Sequence, residues 1–157
     1  MKPIYAWILL SSLVLSGCVT TPKTTLTPLE IQALQTRSYE YNKDIAFPSV
    51  MSVFQDLGYT VNSADKDTGL ITAESATESD AASKFWLGIT DVSQTKATAF
   101  IEQVGPNSTV RLNFVGTSKK STMYGRSDRQ DTPILDVTVY QNAFERIENA
   151  IFMRSSN

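Results

Sequence analysis

The chain predicts an α+β domain in which an antiparallel sheet carries two helices packed on one of its faces. Three observations lead there. Two stretches, 47–57 and 136–151, place apolar side chains at spacings of three and four, which marks a helix with one buried stripe. Around and between them lie runs rich in threonine, valine and aromatic residues, separated by glycine-bearing turns that suit antiparallel neighbours. In one such run Val110, Leu112 and Phe114 alternate with Arg111 and Asn113. That alternation gives the sheet one wet side and leaves the apolar side for helices to cover.

The elements follow in order. Residues 36–41 read as a strand with Arg37, Tyr39 and Tyr41 on one side and Ser38 and Glu40 on the other. The first helix gathers Phe47, Val50, Met51, Phe54 and Leu57, with Pro48 expected in its first turn and Gly58 as the left-handed stop. Tyr59 and Val61 start a second strand, the polar run 64–69 makes a turn, and 70–73 returns as a third strand. A second hairpin joins 95–104 to 109–115 through Gly105-Pro106-Asn107-Ser108. Asp136 is the expected N-cap of the last helix, with Leu135 and Tyr140 placed as a hydrophobic staple and Tyr140, Ala143, Phe144, Ile147, Ala150 and Ile151 as its stripe. The order is strand, helix and hairpin, then hairpin and helix.

Ahead of this domain stands a short positive start, Met1-Lys2-Pro3, and an apolar segment, 4–15. The segment has the length of an export-signal core and falls short of the roughly 20 residues that span a bilayer as a helix. It runs into the single cysteine of the chain. Leu15-Ser16-Gly17-Cys18 resembles the lipobox of bacterial lipoproteins, in which an aliphatic residue and two small residues precede the lipidated cysteine. The resemblance implies cleavage between Gly17 and Cys18 and attachment to the membrane through diacylglycerol and acyl chains, such as palmitate, on Cys18. One acyl chain gives only marginal binding, so the several chains of such a lipoprotein are what hold it firmly. A lipidated Cys18 leaves no free thiol for a disulfide, a thiolate nucleophile or a zinc site. In this class an aspartate directly after the cysteine favours the inner membrane; Val19 stands there instead, which implies a lipid anchor in the outer membrane facing the periplasm.

The organisation expected is therefore a signal peptide over 1–17, a lipidated cysteine and flexible tether over 18–30, and a single periplasmic domain over 31–157. Residues 19–28, with threonines and two prolines, have few groups able to build a core, and ten extended residues reach at most about 35 Å. Within the domain, Thr36-Arg37-Ser38-Tyr39, the run from Val50 through Phe54-Gln55-Asp56-Leu57-Gly58 to Tyr59, and Gly69-Leu70-Ile71-Thr72-Ala73 resemble a pattern of small, mostly uncharacterised proteobacterial lipoproteins. The order of elements is also similar to the helix-grip domains in the lipoprotein C subunit of the outer-membrane barrel-assembly machine. That likeness concerns architecture, and no functional residue is carried over from it.

Chemistry-bearing motifs are scarce. The chain has no histidine, which removes the usual general base near neutral pH and the commonest metal ligand. No G-x-S-x-G elbow, P-loop or dinucleotide fingerprint is present. Asp65 with Asp67 and Glu74 with Glu78 are the carboxylate pairs, the first in a turn where aspartates serve as turn formers and the second at a polar strand end. Asp65, Asp67 and Thr68 lack the central glycine and distal glutamate of a calcium loop. Net charge is −2, too mild to point to nucleic acid. Neither an enzyme, nor a cofactor, nor a metal is expected.

Two connections carry the candidate contact residues. Phe85-Trp86-Leu87 lies in 77–93, either as a partner surface or folded back as a lid over the sheet edge or core. Lys119, Lys120, Tyr124 and Arg126 lie in 117–132, read as a long loop that either solvates its charge or binds an anionic partner. The expected function is a non-enzymatic interaction or accessory module of the cell envelope with a protein partner. The alternative is an envelope ligand, a glycan or a lipid, held in a groove between sheet and helices.

Overall fold

A computed structural model of the chain describes residues 26–75, 94–121 and 127–156. The strands in these residues are β1 (Thr36–Tyr39), β2 (Tyr59–Asp65), β3 (Leu70–Ser75), β4 (Gln94–Val104), β5 (Asn107–Ser121) and β6 (Ser127–Pro133). The helices are α1 (Pro28–Gln35), α2 (Lys43–Asp56) and α3 (Val137–Ser155). All six strands join one antiparallel sheet in the order β1-β5-β4-β3-β2, with β6 also on β5. The α+β class, the antiparallel sheet and the two helices on one face are as the sequence predicts.

Helix α2 connects the two ends of that order, from β1 beside β5 to β2 at the other edge, and so lies across the sheet. Asn42 caps it by accepting from the Ile45 amide at 3.1 Å. The start at Lys43 puts Pro48 inside the helix and past its first turn, one turn later than expected. At the other end Gly58 adopts φ 82° and its amide donates to Gln55 O at 3.0 Å, the left-handed stop that the sequence indicates. Helix α3 is capped by Asp136, whose Oδ1 accepts from the Thr138 amide at 2.8 Å.

The core fills the layer between the sheet and these two helices. Val50, Phe54, Tyr140, Ile147, Ile71, Ile101, Leu112 and Phe114 are fully buried there. Phe54, Tyr59, Phe114 and Tyr140 form a continuous aromatic chain with ring centroids 5.3 to 6.4 Å apart, the offset and tilted geometry such pairs favour. Arg37 lies over the Phe144 ring at 5.0 Å and the Tyr39 hydroxyl donates to Phe144 O at 3.3 Å, so β1 is tied to α3.

Both hairpin turns sit at one end of the sheet and are tied to the start of α2. In the β2–β3 turn Asp65 Oδ1 accepts from the Asp67 and Thr68 amides, and the Lys43 ammonium donates to Asp67 O. The β4–β5 turn is two residues long, Gly105 at φ 61° followed by Pro106, the sequence pattern of a type II′ hairpin. Gln103 clamps it: its Nε2 donates to Gly105 O and Asn107 O, and its Oε1 accepts the first amide of α2, from Lys43, at 2.6 Å.

Three differences from the sequence expectation stand out. Pro28, read as the end of the tether, opens helix α1. The first strand stops at Tyr39, before Tyr41. The stretch 117–132, read as a long loop, is largely the end of β5 and β6 in register, from Thr117 opposite Asp131 to Ser121 opposite Ser127. A strand with a paired backbone need not show apolar alternation at its end, and 127–133 shows none.

Candidate functional site

The face of the sheet opposite α2 and α3 exposes the alternate residues of each strand. One cross-strand row sets Leu70, Phe100, Arg111 and Thr36 side by side in register. The next rows set Thr72, Thr98 and Asn113, then Glu74, Lys96 and Val115. Most of this surface is polar, yet Leu70 is 42% and Phe100 is 44% exposed. Two large apolar side chains adjacent on a polar face form the distinctive spot of this surface.

At the edge of this face the sheet has a seam. Strand β1 pairs with β5 residues 108–111 and β6 pairs with 115–121 on the same edge. Between them, Phe114 O accepts from the Ile134 amide at 2.9 Å and Phe114 N donates to the Tyr140 hydroxyl at 3.4 Å. Tyr140 thus reaches from α3 to bond a backbone amide at this seam. The same hydroxyl accepts from Gln35 Nε2 at 3.3 Å, and Gln35 Nε2 also lies 3.5 Å from Asn113 Oδ1. Burial raises the Tyr140 pKa above its ordinary value, against the smaller opposing pull of these two donors.

Gln35 is the last residue of α1, which runs straight into edge strand β1 and stands at the β1–β5 edge of the sheet. Thr27 and Glu30 make a capping box at its start: Glu30 Oε2 accepts from the Thr27 amide at 2.7 Å and the Glu30 amide donates to Thr27 Oγ1 at 3.3 Å. The Thr27 amide, and the Thr27 hydroxyl that also donates to Oε2 at 2.8 Å, hold the Glu30 carboxyl below its usual pKa. No residue of α1 is buried. Between α1 and the sheet lies an open cleft of about 330 Å³ lined by Pro28, Ile31, Gln32, Gln35 and Arg111. Arg111 therefore belongs both to this cleft and to the Leu70–Phe100 row. A second concavity of about 320 Å³, lined by Val53, Asp56, Arg146, Asn149, Ala150 and Met153, lies between α2 and α3.

The residues singled out from sequence fall differently. Gly17, Cys18, Phe85, Trp86, Leu87, Tyr124 and Arg126 lie outside the described residues, as does Glu78. Lys119 and Lys120 are in β5, in register with Arg129 and Asp128. Phe85, Trp86 and Leu87 fall between Ser75, the last residue of β3, and Gln94, the first of β4. Asp65 is a turn former: amides of Asp67 and Thr68 bind its carboxylate and hold its pKa down, with Thr68 the larger cause. Glu74 stands in register with Lys96. Among the described residues no group of three His, Cys, Asp or Glu is placed to hold a metal ion.

Sequence reasoning missed the cleft because it missed α1. A signal was present: Thr27-Pro28-Leu29-Glu30 has the spacing of a capping box with proline at the first helical position. Phe100 and Arg111 were visible only as alternating strand residues, since their adjacency depends on the β4–β5 register. Compared with protein-family models and with curated proteins, the chain matches none.

Proposed function

We propose that the protein is a membrane-anchored lipoprotein of the bacterial envelope whose domain acts without catalysis as an interaction or accessory module, held by Cys18 in the outer membrane and facing the periplasm. The lipobox-like Leu15-Ser16-Gly17-Cys18 supports the anchor and the compartment. The observation that carries the contact role is the exposed Leu70–Phe100 pair beside Arg111 on a sheet face that α2 and α3 leave open. A broad face with a small apolar centre and a polar surround has the anatomy of a protein contact. The layer between sheet and helices holds Phe54, Phe114 and Tyr140 fully buried, which favours contact on the open face over a ligand groove inside.

The test uses a photoactivatable aromatic residue placed at Phe100 or, as control, at exposed Glu145 on α3, in the full chain in intact cells. Irradiation is expected to give specific protein adducts from position 100 and none from 145. In a Cys18→Ser background the protein is expected to leave the membrane fraction and the adducts to fall with it. Equal labelling from both positions removes the open face as the contact surface, and an unchanged membrane fraction after Cys18→Ser removes the anchor.

A further inference from the structure

We infer that the cleft between α1 and β5 receives the free C-terminal carboxylate of a peptide whose last residues are apolar, with Arg111 as its ionic partner and Phe100 and Leu70 as the seat of its side chains. The inference rests on the reading of the open face as the contact surface and names the chemistry of the partner.

Charge comes first. Arg37 is taken up by the Phe144 ring, and Arg154 donates to Ser49 and Ser52. Arg111 has no acidic or aromatic partner among the described residues, although it lines a cleft. Glu102 stands on the same face two residues from Phe100 and in register with Thr109, but it makes no ion pair with Arg111. A guanidinium offers paired donors that match one carboxylate bidentately. Gln32 lines the same cleft, and its side-chain amide carries N–H donors of the kind a carboxylate accepts; the Gln35 Nε2 donors are already taken by Tyr140 and Asn113.

Size and spacing then narrow the anion. Adjacent strands lie about 4.8 Å apart, which places Phe100 about 5 Å and Leu70 about 10 Å from Arg111 along their shared row. In an extended peptide successive residues advance by about 3.4 Å, so a carboxylate on Arg111 puts the last two or three residues over this apolar pair. Two half-exposed side chains cover one or two side chains of a partner, and they are too little wall for a long acyl chain. A polyanion would meet Glu74 and Glu102 on the same face. Arg111, lining the cleft with an apolar row on its β4 side, fits one charge and a short apolar end.

The test is binding of the full chain, purified in detergent, to an array of tripeptides immobilised through their N-termini. The array ends in Leu, Ile, Val, Phe or Met, each as free acid and as amide. Free acids are expected to bind about tenfold or more tightly than the matching amides, as loss of a charge-assisted hydrogen bond implies. Arg111→Gln should abolish that difference while leaving the melting temperature unchanged, and Arg111→Lys should keep part of it. Phe100→Ser should weaken acids and amides alike. Equal binding of acids and amides overturns the inference, and so does the absence of acid-dependent binding from every sequence. Binding of laurate without any peptide overturns it in favour of an acyl ligand. If crosslinks still form from position 100 while acids and amides bind alike, the contact surface stands and only the carboxylate chemistry fails.

Discussion

Gly69 and Gly105 both sit in hairpin turns with positive φ, 80° and 61°, yet their surroundings differ sharply. A Cβ on Gly69 would stand 2.0 Å from the carbonyl oxygen of Ile101, a backbone atom held in the sheet, whereas a Cβ on Gly105 meets nothing within 4 Å. The Gly69 carbonyl also accepts from the Ile101 amide at 2.8 Å, so the contact cannot open without losing a bond that stitches the turn to β4. Gly69→Ala therefore combines left-handed strain with a backbone clash and is expected to cost more than about 2 kcal/mol, against about 1 kcal/mol for Gly105→Ala. Urea melts of the two variants check this, and similar midpoints would refute the close approach. The sequence shows each glycine as a turn residue. It does not show which one touches its neighbour, because that contact depends on the β3–β4 register, in which Leu70 stands opposite Phe100.

Helices α2 and α3 were legible and α1 was not, and the reason is where their stability comes from. In α2 and α3 the residues at three- and four-residue spacing are the ones the sheet buries: Phe47, Val50, Val53 and Phe54 in one, Tyr140, Ala143, Phe144, Ile147 and Ile151 in the other. Tertiary burial and periodicity record the same fact. Helix α1 has no fully buried residue and packs only Leu34, partly buried, against the core, so its cap is the main trace it leaves in the sequence. Strand β6 is silent for a related reason. Its seven residues, Ser-Asp-Arg-Gln-Asp-Thr-Pro, gain order from backbone pairing with β5 and carry no apolar face. The open face was legible as wet residues, but its centre was not, because the Leu70–Phe100–Arg111 row comes from three strands whose registers no local pattern encodes. The same division predicts mutational costs. Phe54→Ala and Phe144→Ala each remove a ring from the sheet–helix layer and should lose roughly 3 to 5 kcal/mol, while Leu29→Ala on exposed α1 should change stability by less than about 0.5 kcal/mol. Thermal or denaturant unfolding of the three variants measures the contrast, and equal midpoints for parent and Phe54→Ala would be incompatible with this core.

On the scale of the whole molecule, ionisable groups divide into an exposed set and a buried set with opposite pH signatures. Asp44 is held below its usual pKa chiefly by its bond to Lys66, Asp65 by turn amides, and Glu30 by its capping box. Lowered carboxylates add stability above their unfolded values and lose it as pH falls through the folded ones. All three are fully exposed, so solvent screens their contribution and acid should weaken the domain only gradually. The tyrosines behave otherwise. Burial raises the pKa of Tyr39, Tyr59 and Tyr140 above the ordinary 10.0, first through desolvation in each case. Their hydroxyls stay protonated in the folded chain at a pH where the unfolded chain has begun to ionise, so stability is full below about pH 10 and falls as pH rises toward the folded values. Tyr140 adds a structural reason, since its hydroxyl also serves the seam of β5. Denaturant midpoints are expected to be nearly flat from about pH 7 to about pH 9 and to drop steeply between about pH 10 and about pH 11.5. The tyrosinate absorbance contributed by Tyr39, Tyr59 and Tyr140, taken as the difference between the parent and each Tyr→Phe variant, should rise together with unfolding instead of ahead of it. In Tyr59→Phe, which removes one buried phenol and keeps the ring in the aromatic chain, the alkaline slope should become shallower. An unchanged slope in that variant, or full ionisation of these tyrosines in a still folded chain, would mean that burial of the phenols does not control the alkaline limit.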